Sequence, residues 1–160
     1  MSDMTIELAF KNLQIGDPES RAEAIKFLGE KTYAPAVPTL ADLVLQSDPG
    51  TRYLAAQALA KIGDEAESAV PSLLKALRLD DMYLRMAITG ALIAIGRPAL
   101  PGLVKALFDN NAAVRRASAK ALGKIGDKET IKPLTVALKD ADGGVRKLAQ
   151  EAIVRLQEAS

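Results

Sequence analysis

An arginine returns at positions 21, 52, 85, 115 and 146, at intervals of 31, 33, 30 and 31 residues. The same kinds of residue stand at the same offsets around each one. Four positions earlier comes Asp17, Asp48, Asp81, Asn111 or Asp142, and seven positions later a large aliphatic, Leu28, Leu59, Leu92, Leu122 or Ile153. A unit of this length cannot cover its own apolar face, so it is stable only when stacked on neighbours that share one core. The period therefore predicts an all-α solenoid of five copies, starting near residues 17, 48, 81, 111 and 142, within a single 1–160 domain.

Each copy reads as two helices. The Asp or Asn is placed to cap the first helix, A, by accepting from its free N–H groups, and Pro18 and Pro49 follow where a missing donor costs nothing. Gly63, Gly96 and Gly126, eleven residues past their arginines, suit the residue that ends a helix in a left-handed conformation; copy one has Thr32 there. The second helix, B, shows apolar residues at helical spacing: Val37, Leu40, Val44; Val70, Leu73, Leu77; Leu100, Leu103, Leu107; Ile131, Leu134, Leu138. Pro38, Pro71, Pro101 or Pro133 falls in its first turn. Residues 4–14 read as a leading B-type helix and 143–157 as a closing A helix, about ten helices in all.

With Asp or Asn, Arg, Leu and Gly recurring together, VPSLLKALRLDDMYLRMAITGALIAIG and DNNAAVRRASAKALGKIGDKETIKPLTVALKDADGGVRKLAQEAI resemble the HEAT-like repeat of phycobilisome-lyase-type proteins. The resemblance covers residues 17–156. It implies a right-handed superhelix of armadillo-like helix pairs whose B helices line the concave side. It also implies a range of roles: scaffolds, bilin lyases and maturation factors.

The repeated residues are expected to build the frame. Arg21, Arg52, Arg85, Arg115 and Arg146 lie one turn from Asp17, Asp48, Asp81, Asn111 and Asp142, so guanidinium and cap side chains are expected to alternate in a structural ladder linking consecutive A helices, with Arg52, Arg85 and Arg115 contacting caps or loop carbonyls of a neighbouring copy, rather than to form an anion site. Recognition must then come from positions that vary between copies. On helix B these are Thr39 and Asp42, Ser72 and Lys75, Gly102 and Lys105, Pro133 and Val136. On helix A, copy three has Met86, Gly90 and Ala94 where other copies mostly carry charge, flanked by Met82, Tyr83 and Tyr53. The expected partner surface is Lys75, Met82, Tyr83, Met86, Gly102, Lys105 and Phe108.

Composition narrows the chemistry. The chain has no Cys and no His, which removes thiolate nucleophiles, thiolate metal sites and the commonest general base. No cofactor, metal site or catalytic residue is expected. Residues 1–80 carry 8 basic and 12 acidic side chains, whereas residues 81–160 carry 13 and 8, so a charged partner can be steered along the rod. The basic stripe Arg116, Lys120 and Lys124 lacks interleaved aromatics, and no nucleic acid is expected. MSDMTIELAF has no basic and apolar leader pattern and no stretch is apolar enough to span a membrane, which points to the cytoplasm.

Two functions fit. One is a non-enzymatic scaffold or adaptor that docks a partner protein of unknown identity. The other, implied by the resemblance, is a phycobilin lyase, isomerase or pigment chaperone subunit of the E/F type. Its partner would be a phycobiliprotein or a second lyase-type subunit, and Lys75, Lys105, Tyr83 and Phe108 would face the pigment.

Overall fold

The computed structural model describes residues 3–159. Among them are ten α-helices and no strand: α1 (Ile6–Ile15), α2 (Pro18–Glu30), α3 (Val37–Gln46), α4 (Pro49–Ile62), α5 (Val70–Ala76), α6 (Met82–Ile95), α7 (Leu100–Ala106), α8 (Ala112–Ile125), α9 (Ile131–Ala137) and α10 (Gly143–Glu158). They form a solenoid of helix pairs. The A layer is the stack α2, α4, α6, α8 and α10; the B layer contains α3, α5, α7 and α9, with α1 leading. The leading helix begins at Ile6, two residues later than expected, because the Thr5 hydroxyl accepts from the Leu8 N–H and fixes the start there.

Each A helix starts at the residue expected to cap it. Asp17 accepts from the N–H groups of Glu19 and Ser20, Asp48 from Thr51, Asp81 from Leu84, Asn111 from Ala113 and Asp142 from Val145. The stops follow the second half of the pattern. Gly126 takes the expected left-handed conformation at φ 86°, ψ 22°, whereas Gly63 and Gly96, at φ 75° with ψ −136° and −135°, stop their helices in another positive-φ conformation; Thr32 stands in the same place at φ 47°, which a β-branched side chain rarely adopts. Between the stops lies one continuous core, in which Leu28, Leu59, Leu92, Leu122, Leu73, Leu103 and Leu134 are all fully buried.

Of the two kinds of contact expected for the arginines, the structure shows carbonyls of the preceding copy and not the caps. Rather than pairing with the cap residue one turn away, each guanidinium reaches back to carbonyls at or just past the end of the preceding B-type helix. Arg21 donates to Leu13 and Gly16, Arg52 to Leu45, and Arg85 to Leu79. Arg115 donates to Asp109 and Asn110, and Arg146 to Asp140 and Ala141. The reason is that a helix end leaves four carbonyls unpaired, and a cation there satisfies both their hydrogen bonding and their partial charge. The caps are occupied by their own helix N–H groups. Of the five arginines, Arg115 also joins the two ends of its own copy through two bonds of 2.8 and 2.9 Å to Asp140, in the turn after α9. Neighbouring Arg116 holds Asp142, and Arg78 holds Asp109, and these pairs do cross between repeats.

Candidate functional site

Six of the seven residues expected to share one surface fall around two recesses. The first lies on the B side. Lys75 on α5 and Lys105 on α7 occupy the same register one repeat apart, and with Gly102 and Phe108 they line a groove of about 610 Å³. Its apolar floor is Leu74, Ala106 and Val114; Arg78, Asp109 and Asn110 complete the rim. Gly102 brings the helices together here. A Cβ at this position would lie 2.8 Å from Leu74 Cδ1 and 3.2 Å from Val70 Cγ1, so the bare backbone leaves room for the Leu74 side chain to cover it. Phe108, immediately after the α7 turn, is half exposed, a large apolar side chain held at the mouth.

The second recess lies on the A side. Met82, Arg85, Met86 and Thr89 of α6 face Ala113, Arg116, Ala117 and Lys120 of α8 across a cleft of about 320 Å³, with Leu148 of α10 at one end. The corresponding gap between α8 and α10 is about 120 Å³ and that between α2 and α4 about 20 Å³. One register position differs in parallel. Gly29 and Gly123 each approach the next A helix so closely that a Cβ would fall within 3 Å of Ala58 or Ala152. On α6 that register position is Ile93, so no glycine permits the same close approach there. Met82, Tyr83 and Met86 are 60%, 69% and 61% exposed. Tyr83 lines neither recess.

The single surface expected from the sequence is thus divided: Lys75, Gly102, Lys105 and Phe108 belong to one face, Met82 and Met86 to the other. Sequence reasoning missed Arg78, Asp109, Leu74 and Val114. A signal for Arg78 was present in the column one turn past the lysines, which reads Leu45, Arg78, Phe108 and Lys139 through copies one to four. Asp109 and Val114 come from the turn and the following A helix, whose folding back over the groove no one-helix column reveals.

The electrostatics of the frame separate it from the grooves. Hydrogen bonds from Arg115 hold the Asp140 carboxyl below the usual carboxylate range, and those from Arg116 do the same for Asp142. Asp48 is lowered by the Thr51 hydroxyl and N–H. Lys75 and Lys105, by contrast, enter no ion pair among the described residues. No group of three or more Asp, Glu, His or Cys among the described residues is placed to hold a metal ion. No single described helix is long and apolar enough to cross a membrane.

The sequence matches the HEAT repeats family over residues 6–93 and again over 70–154. The chain belongs to this family. Within it, this HEAT-repeat protein is 32% identical over 150 residues to an uncharacterized phycocyanin operon protein Z from Pseudanabaena tenuis (strain PCC 7409), covering 88% of this chain and 74% of that one. Its fold is similar to that in the complex of CpcE and CpcF of phycocyanin lyase from Nostoc sp. PCC7120. The TM-score is 0.66 at 27% identity, over 99% of this chain and 67% of the other. An archaeal HEAT-like repeats protein from Thermococcus onnurineus NA1 gives the same TM-score of 0.66 at 11% identity, over 96% of this chain and 70% of that one, a likeness of fold alone. The repeats are HEAT-like repeats of the phycobilisome-lyase type.

Proposed function

We propose that this HEAT-repeat protein is a scaffold or adaptor that docks a partner protein through the variable surface of copies two to four, in the cytoplasm, without chemistry of its own. The observation that carries this reading is a division of labour. Residues that recur are buried, capping or bonded to backbone carbonyls, whereas Lys75, Lys105, Phe108, Met82 and Met86, which do not recur as a set, surround the two larger recesses. Large exposed apolar side chains beside unpaired cations are the composition of a surface that loses water on contact. Similarity to a chain of a two-protein lyase complex supports a protein partner, either a second lyase-type subunit or a phycobiliprotein.

A second reading rests on that same similarity and on the B-side groove, whose volume of about 610 Å³ lies within the range of small-molecule sites. In it the chain is a lyase-type or pigment-chaperone subunit, with Lys75 and Lys105 facing the propionates of a bilin and Phe108 its rings. Tyr83 drops out of that set because it lies off the groove. Coexpression with bilin synthesis separates the readings. A purified protein with no visible absorbance supports the scaffold; a pigment band lost in Lys75→Glu/Lys105→Glu supports the lyase-type subunit.

A further inference from the structure

The two lysines of the B-side groove carry the argument beyond a partner in general. Lys75 and Lys105 stand at the same register on α5 and α7, which pack on each other as consecutive B helices. Their stems are therefore about one interhelix spacing apart, ~10 Å. Copies one and four have Asp42 and Val136 at this register, so the cationic pair belongs to the two central copies alone. Arg78, the third cation, is held by Asp109, which leaves the groove with two uncompensated positive charges on either side of the Leu74, Val114 and Phe108 surface.

We propose that this groove binds an acidic helical segment of the partner protein that presents one apolar side chain between two carboxylates about two turns apart. This inference rests on the docking reading above and names the chemistry of the docked segment. The match is geometric as well as electrostatic. Carboxylates seven residues apart on a helix are separated by about 10.5 Å along its axis and lie near one face. The residue midway between them, three or four positions from each, falls on the same face. Lys75 and Lys105 meet the two carboxylates, and the intervening side chain enters over Leu74 and against Phe108. A basic segment is repelled, and a uniformly polar one leaves the apolar floor unfilled.

An amide chemical-shift titration of the 15N-labelled chain tests this. The probe is a synthetic alanine-based helical peptide with one leucine midway between two glutamates seven residues apart. Saturable shifts grouped at residues 74–78 and 102–110 are expected. Replacing both glutamates of the peptide by glutamine leaves the protein untouched and should weaken binding at least tenfold, as should Lys75→Glu/Lys105→Glu. Equal binding by the glutamine peptide, shifts centred on the Met82 and Met86 cleft, or no shifts at millimolar peptide would overturn the proposal. The broader docking reading is tested separately: loss of native partner capture in Met86→Asp, with the peptide result negative, would leave that reading standing and this one refuted.

Discussion

Thr32 occupies the helix-stopping position that glycine holds in the next three copies, and it does so at φ 47°. A left-handed backbone costs an L residue about 1–2 kcal/mol, while glycine loses about 0.5–1 kcal/mol more chain entropy on folding. Thr32→Gly is therefore expected to raise stability by about 0.5–1 kcal/mol, read as a higher denaturation midpoint at unchanged slope; a lower midpoint would show that the threonine conformation is not a burden. Leu122, fully buried, sits at the opposite extreme. Leu122→Ala should lower stability by about 2–5 kcal/mol, the range for aliphatic truncation in a close-packed core.

At the scale of elements, the contact between α8 and α10 joins a tight backbone approach at Gly123 to the Arg115–Asp140 pair, whose side chains are only 16% and 12% exposed. Asp140 titrates below its unfolded value, so its contribution is full above the ordinary carboxylate range and is lost as pH falls through the lowered folded value. Asp140→Asn is expected to cost about 1–3 kcal/mol at neutral pH. That difference from the parent should shrink as pH drops below about 4; a difference constant down to pH 2 would contradict the assignment. Helix starts and stops were legible in the sequence because they depend on residues three or four positions away, as at Asp48 and Gly63. The arginine partners were legible only in part. The repeat pointed Arg85 and Arg115 to caps or loop carbonyls of the neighbouring copy, but the choice of the carbonyls at Leu79 and Asp109 is invisible in a pattern of side-chain types. Nor does sequence spacing along α6 show that Ile93, at the register held elsewhere by Gly29 and Gly123, coincides with a wider cleft than those beside the two glycines.

For the whole molecule, repetition separates two kinds of position: those that hold each copy on its neighbours, and those free to differ. The fold follows from the first set and was readable from five aligned copies. Where the surface residues meet was not, because Lys75 and Phe108 lie on helix B and its turn while Met86 lies on helix A, and only the stacking of the two layers assigns them to separate recesses. The most direct test is a paired measurement of thermal unfolding and of affinity capture from the native cell, for two classes of variant. The account predicts that Arg115→Leu and Leu122→Ala lower the unfolding temperature. It predicts that Lys75→Glu/Lys105→Glu and Met86→Asp leave that temperature nearly unchanged and abolish capture of the partner. Capture at the parent level by the surface variants would contradict it.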